Sequence, residues 1–347
     1  MSTFLPRLAL TIGDCAGIGP ELALRAMSNP EISATCRLLV YGNLTLMQRV
    51  AEAADLGLPP ELAVIHHERW PSDNLPTTGP ILIDTPFTEA STLRPGAVSP
   101  ACGLRAFEWI SMAVRDIRAG IADALVTAPI NKAALHSAGV PFPGHTEMLA
   151  DLCGSTEPPC MAFYAPDMFV SLATIHEPVA KVSGLLETAA LQRIITLTAE
   201  ACERLSGNRP RVGVLALNPH AGENGLFGSE EQDVIIPAIR AAQQAGVDAV
   251  GPLVPDTAFT WLFSGKLKPF DAYVAMYHDQ GLIPFKMKAF DTGVNITLGL
   301  PVIRTSPDHG TAFDLAWRGQ ASPASLFSAI RLAVRLTKER LNQPGFC

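Results

Sequence analysis

The chain contains no Cys-x-x-Cys pair, although it carries seven cysteines among 347 residues. An odd number of scattered thiols in so long a chain is not a disulfide scaffold. Cys15, Cys36, Cys102, Cys153, Cys160, Cys202 and Cys347 are therefore expected to be reduced. No apolar run reaches the length of a membrane span, and the opening residues 1–12 lack a signal-type hydrophobic core. A cytoplasmic protein without membrane contact is expected. Positive charge is also scarce: 26 Lys and Arg face 33 Asp and Glu, for a formal net charge of -7. That excludes an extended nucleic-acid surface, which needs a basic stripe, and leaves any anionic ligand to a few local cations. Internal repeats and low-complexity linkers are absent as well.

What is present is a composition of 48% hydrophobic and 17% charged residues, enough for a sizeable core, in a chain long enough for two domains. Short β-rich runs alternate with amphipathic stretches, the pattern of an α/β protein with a largely parallel sheet. Strands are expected over 8–12, 37–41, 124–127, 168–175, 211–217, 272–277 and 295–298. Ser99 followed by Pro100 reads as an N-cap with proline at the first helical position, opening a helix to about Arg118. Further helices are expected over 187–205, 229–245 and 323–341. The turn-rich stretch 127–143 is the expected crossing between domains.

Three histidines share one context. His176, His220 and His278 each lie at the carboxyl end of an expected strand, and in open α/β sheets that edge is where ligands bind. Three neutral imidazoles with an open fourth position describe a catalytic zinc-like site, where the metal acts as a Lewis acid on a substrate oxygen. Any one of them alone reads more simply as a hydrogen-bonded loop histidine, and the shared context reverses that for the set.

His145 and Thr146 stand in PGHTE at 143–147, where Thr146 is placed to cap a short helix. The unpaired N–H groups of a helix start attract an anion such as phosphate, and a plain capped helix is the alternative. Lys286, Asn295 and Arg304 form a second polar group beside the apolar Ile283, Phe285, Ile296 and Ile303. Lys and Arg flanking a buried-looking strand suit a phosphate or carboxylate clamp, against the alternative of solvated surface charges.

A GxGxxG fingerprint is missing after the first strand, so a Rossmann domain is not expected; GDCAGIGPE at 13–21 has a different glycine spacing. This segment, with Gly13 and Asp14, still reads as a strand, a glycine turn and a helix opened by Pro20, able to approach a ligand closely or to serve as a tight turn. DHGTA at 308–312, with Asp308, His309, Gly310 and Thr311, reads as a small-residue turn able to reach adenine and ribose, or as a helix-entry loop.

Taken in order, GDCAGIGPE at 13–21, GHTE at 144–147, NPHAGE at 218–223, Gly251-Pro252 with Asp256 and Thr257, AMYHDQG at 275–281, NITLGLP at 295–301, Arg304 and DHGTA at 308–312 resemble the 4-hydroxythreonine-4-phosphate dehydrogenase family of pyridoxal phosphate biosynthesis. The resemblance covers nearly the whole chain. It implies a two-lobed α/β fold like that of isocitrate and isopropylmalate dehydrogenases, with a cleft between lobes. The lobes are expected over 1–128 plus 303–347, on the cofactor side, and over 129–302, carrying metal, substrate and dimer contacts. It implies NAD or NADP as cofactor and one divalent ion, zinc, magnesium or cobalt, held by His176, His220 and His278. It further implies substrate contacts from His145, Thr146, Lys286, Asn295 and Arg304, and a homodimer whose two chains share each metal site. The turn at 308–312 looks like an adenosine-binding loop. Lys286 and Asp279 are both candidates for the proton acceptor. The chain departs from the family pattern at Cys15, where proline is usual, and at Glu177-Pro178, where leucine and proline are common. The expected reaction is oxidation of 4-phosphohydroxy-L-threonine. D-threonate or D-erythronate 4-phosphate, or a carboxylated cyclohexadiene diol, are the alternatives within the family, and an acyl or phosphoryl transferase or a non-catalytic metal-binding protein are those outside it.

Overall fold

The computed structural model describes residues 5–71, 76, 78–264 and 267–342. The chain divides into two compact units, Met1–Pro159 with Leu300–Cys347, and Cys160–Gly299. Residues 129–159 pack with the first unit, not with the second as the sequence suggests. The reason is local: the helix Lys132–Ser137 lies directly on the helix Pro100–Arg118, and the helix His145–Cys153 packs on the same element.

The first unit is built on six parallel strands in the order β3 (Ala63–His66), β4 (Ile81–Asp84), β2 (Arg37–Gly42), β1 (Arg7–Thr11), β5 (Ala124–Thr127) and β12 (Arg304–Pro307). Strands β1, β2 and β5 are buried nearly throughout, as expected of a parallel sheet covered on both faces. The second unit orders its strands β11 (Val294–Leu298), β6 (Cys160–Ala165), β7 (Met168–Leu172), β10 (Ala272–Ala275), β8 (Arg211–Leu215) and β9 (Asp248–Leu253). Here β11, β6 and β7 run antiparallel in turn, and β7, β10, β8 and β9 are parallel. Its core gathers Phe163, Met168, Val170, Leu172, Leu215, Tyr273 and Phe285.

The long helices follow their sequence signals. Pro100–Arg118 turns Cys102, Ala106, Trp109, Ile110, Ala113 and Ile117 inward at helical spacing. Ser99 has extended backbone at its N-cap, but its hydroxyl makes no capping bond. Thr188–Ser206 and Ala324–Asn342 match the expected helices closely. The helix expected from Ser229 opens instead as a π turn, Glu231–Ile235, before the α-helical Ile236–Gln244. Pro237 has no N–H to give to the carbonyl four residues back, and a wider turn accommodates that loss. The six cysteines among the described residues are all free and buried, as expected of reduced thiols; Cys347 lies outside the described residues. No helix among the described residues is long and apolar enough to cross a membrane.

The approach of Lys132–Ser137 to Pro100–Arg118 depends on Gly103, where a Cβ would lie 2.2 Å from the Ala134 carbonyl oxygen. Gly103→Val should therefore lower the unfolding free energy by about 1–3 kcal/mol, the usual cost of overpacking. A urea melt checks this, and an unchanged midpoint would contradict the close approach.

Candidate active site

In the second unit β7, β10 and β8 are adjacent and parallel, so their carboxyl ends share one edge. His176, His278 and His220 follow those ends, Leu172, Ala275 and Leu215 respectively. Pairing continues past the strands: Ala173 N–H donates to Ala275 O at 2.8 Å and Thr174 N–H to Met276 O at 3.1 Å. The Thr174 hydroxyl donates to the same Met276 carbonyl at 2.8 Å. This carries the register up to the histidines, whose rings at 176 and 278 lie 5.9 Å apart between centroids.

His278 opens the helix His278–Ala289, and its Nδ1 lies 2.7 Å from Asp279 Oδ1. A carboxylate on one ring nitrogen fixes the imidazole and turns Nε2 outward, the arrangement found behind metal-binding histidines. His220 sits differently. It begins a left-handed turn in which His220, Ala221, Glu223 and Asn224 have φ of 52°, 55°, 43° and 57° around Gly222 at 78°. Each such non-glycine residue costs roughly 1–2 kcal/mol, so the segment persists only because its surroundings hold it there. Glu231 does part of that: buried, it accepts N–H bonds from Leu217 and Asn218, both at 2.8 Å, and one from the Asn218 amide at 2.9 Å. The His220 ring is exposed, with Nδ1 3.3 Å from Glu223 Oε2.

The donor chemistry of this edge suits a borderline divalent ion, with imidazoles as ligands and a carboxylate orienting one of them. Among the described residues, however, no group of three or more His, Cys, Asp or Glu comes together on one chain. His176 and His278 are brought into ring contact. The set of three is not.

Lys286 lies on the same helix as His278, not beside a strand, with its Nζ 5.9 Å from the centre of the Phe290 ring. Asn295 is on β11, opposite Phe163 of β6. Of the apolar neighbours read from the sequence, Phe285 and Ile296 are buried, but Ile283 is 60% exposed because it faces outward from the helix.

In the first unit, the residues following β1, β5 and β12 are again carried to one parallel edge. The turn after β1 and the loop after β12 meet: Ile18 N–H donates to Thr311 O at 3.0 Å, and a Cβ at Gly17 would lie 2.9 Å from that oxygen. Gly13 has φ of 69°, and Asp14 N–H donates to Pro129 O at 2.9 Å. His309 and Gly310 are exposed, and no atom lies within 4 Å of a Cβ built at Gly310. Asp14 is buried, with one carboxylate oxygen accepting from Ala16 N–H at 2.9 Å and the other without a hydrogen-bond partner. Burial pushes its carboxyl up to about 6, against the opposing pull of the Ala16 bond. Small residues and one orphaned acceptor suit the polar rim of a nucleotide.

The same unit holds His145 and Arg304. Arg304 is buried and donates through Nε and Nη2 to Thr127 Oγ1 at 3.2 and 2.8 Å. Burial lowers its guanidinium to about 9, so it stays charged at neutral pH. His145 is held well below the usual histidine range, first by burial and then by the Arg304 charge, and its Nε2 is buried without a hydrogen-bond partner. A neutral ring with an open nitrogen beside a buried cation can receive an anion's oxygens. Thr146 does not cap the helix His145–Cys153. Gly144 is the N-cap, with extended backbone, and the helix starts early enough to place Thr146 inside its first turn.

Sequence reasoning missed Thr127, Glu231 and Gln280. Gln280 stands in the AMYHDQG run, but no pattern signals the role of any of the three, since each also reaches a group on another segment of the chain. Glu21 carried only its place in a first helical turn, yet its buried carboxylate accepts from Gly319 and Ala321 N–H at 3.2 and 3.1 Å.

A family model described as "Pyridoxal phosphate biosynthetic protein PdxA" matches residues 34–333. The chain is 45% identical over 342 residues to a 4-hydroxythreonine-4-phosphate dehydrogenase of Trichlorobacter lovleyi, covering 98% of this chain and 100% of that protein. It is 41% identical over 330 residues to a D-threonate 4-phosphate dehydrogenase of Pectobacterium atrosepticum, covering 95% of this chain and 98% of that one. The crystal structure of a 4-hydroxythreonine-4-phosphate dehydrogenase from Klebsiella pneumoniae aligns with a TM-score of 0.83 at 37% identity, covering 97% and 99% of the two chains.

The Asp14 environment yields a test with a definite sign. Its folded pKa lies above the unfolded value, so the fold is favoured at low pH and that contribution is lost as pH rises through about 6. Asp14→Asn should exceed the wild type in stability by about 1–3 kcal/mol at pH 8, and the gain should vanish below pH ~4. Equal differences in chemical melts at both pH values would refute the buried-carboxylate assignment.

Proposed function

The chain belongs to the pyridoxal phosphate biosynthetic protein PdxA family, and on that footing we propose that it oxidises 4-phosphohydroxy-L-threonine with NAD or NADP. It is a dehydrogenase acting on a CH–OH group. The observation that carries the site assignment is the delivery of His176, His220 and His278 to one edge of neighbouring parallel strands.

The carbinol carbon loses hydride to the oxidised nicotinamide and its hydroxyl proton to a base, leaving a 3-keto acid, reduced cofactor and one proton. A divalent ion held by the three histidines supplies Lewis-acid polarisation when bound. The 3-keto acid then loses carbon dioxide and takes up a proton, leaving 3-amino-2-oxopropyl phosphate. Asp279 is engaged with His278 Nδ1 and orients it, which leaves Lys286 as the proton acceptor. Arg304, His145 and the first N–H groups of His145–Cys153 hold the phosphate, with Thr146 in that first turn. Lys286 and Asn295 are the second unit's substrate contacts. Gly13, Asp14 and the 308–311 loop, Asp308, His309, Gly310 and Thr311, hold the nucleotide. The reduced cysteines suit a cytoplasmic protein.

A homodimer with shared sites is part of this reading, and one surface feature supports it. The helix bearing His278 and Lys286 exposes Ile283, Met287 and the following Phe290 by 60%, 65% and 72%, an apolar row that a second copy would cover. Met287→Asp should yield a monomer by light scattering and lose activity with it. An active monomer would contradict the shared site.

A second reading, D-threonate 4-phosphate dehydrogenase, is favoured by the 41% relative and by Glu177 after His176. Assays of 4-phosphohydroxy-L-threonine against D-threonate and D-erythronate 4-phosphates, each with NAD and NADP, decide between them. The proposal predicts the highest kcat/KM for the first, and a higher value for D-threonate 4-phosphate would replace it by the second reading.

Arg304→Ala should raise KM about 10- to 100-fold with a smaller change in kcat, since charge-assisted hydrogen bonds contribute ~1.5–3 kcal/mol. The phosphate takes no part in the bonds that change. A lowered kcat at unchanged KM would assign Arg304 to the chemical step.

A further inference from the structure

The backbone that leads to His278 and His220 is held by two side chains from outside the histidine set. Gln280, in the first turn of His278–Ala289, accepts an N–H bond from Met276 at 2.7 Å through its amide oxygen. Through its amide nitrogen it donates to the Ala216 carbonyl at 2.7 Å. Met276 directly follows β10 and Ala216 directly follows β8, so one amide spans the two strand ends where the sheet ladder has stopped. Glu231 takes up the next two residues, accepting from Leu217 and Asn218 N–H, with the Asn218 amide donating to both Glu231 and Glu230. The chain from Ala216 to Asn218 is thus pinned at three successive residues just before it enters the left-handed turn of His220.

We infer that Gln280 and Glu231 are positioning residues that hold the entries to the His278 and His220 segments, and so set where each chain presents these two rings at the metal-ligand edge. The physical need is plain. Past the strand ends these segments have no ladder to set their separation, and the strained turn at His220 would relax if its entry were released. Gln280 alone matches the requirement of one acceptor for an N–H and one donor for a carbonyl. Glutamate there would keep the first bond and set an oxygen against the Ala216 carbonyl. At 231 a glutamine keeps the oxygen that receives Leu217 and Asn218.

The inference rests on the metal-site reading above, and one experiment separates the two. Full-length protein, freed of metal by chelation, is titrated with Co(II), followed by calorimetry and by the visible absorption of the bound ion. Thermal unfolding of the metal-free samples is recorded beside it. Gln280→Met, Gln280→Glu and Glu231→Met should bind Co(II) about 10- to 100-fold more weakly, with an altered visible band, as expected when the support behind metal ligands is removed. Glu231→Gln should stay within about threefold of the wild type. Wild-type affinity in Gln280→Glu and Glu231→Met overturns the inference, as does a loss in Glu231→Gln equal to that in Glu231→Met. Variants that only unfold at lower temperature while binding like the wild type also overturn it. If the Met variants fail to fold, Gln280→Glu and Glu231→Gln alone decide. His176→Ala and His278→Ala serve as the separate control: unchanged binding in them, or none in the wild type, sinks the metal-site reading and the inference with it.

Discussion

Parallel strands end at the same edge, and nearly everything proposed for this chain depends on that geometric constraint. Segments around His176, His220 and His278 are far apart in sequence, yet β7, β8 and β10 run the same way side by side and must release them together. The first unit repeats the device with β1, β5 and β12, whose following segments are tied by Asp14 N–H to Pro129 O and by Ile18 N–H to Thr311 O. Side chains brace both edges beside the last ladder bonds: Gln280 and Glu231 in the second unit, Glu21 and Thr127 in the first. The buried sheet supplies direction, and the polar braces supply position.

Electrostatics follows from the scarcity of positive charge. A chain with net charge -7 cannot draw a phosphate by its overall field, so the attraction must be local. Arg304 meets that need because it is buried and still charged at neutral pH, with Thr127 holding its donors in place. Burial, and after it the Arg304 charge, keep His145 neutral, which makes that ring a hydrogen-bonding partner and not a second cation. Asp14 shows the same economy in reverse, a carboxylate kept at the cost of stability in a turn too tight for a bulkier neighbour.

Much of the framework was legible because it is periodic. The helix from Pro100 to Arg118 announces itself by proline at its first position and by buried residues at helical spacing, and the strand 124–127 by an unbroken apolar run. Strand β12 was not legible, since Arg304, Thr305, Ser306 and Pro307 hold no apolar run, and pairing with β5 and burial make them a strand. The extended strands 168–175 and 211–217 were overread by a few residues, because the apolar pattern runs on after the ladder ends. Within the candidate site the histidines were found by their place after strands. Gln280 and Glu231 were not, because a brace is defined by the backbone groups it reaches and a sequence does not display those. The failed expectation for Thr146 has the same origin: Gly144 could take the extended backbone of the cap, so the helix began before the threonine.

The central claim is that the carboxyl edge of β7, β10 and β8 binds one divalent ion through His176, His220 and His278, with the set completed across two copies of the chain. Anomalous diffraction at the zinc edge from crystals of the zinc-loaded protein tests it most directly. The account predicts one strong peak per chain, at about 2.0–2.1 Å from a ring nitrogen of each of the three histidines, with those histidines drawn from both copies. A peak bound elsewhere, or bound by three histidines of a single chain, would contradict it.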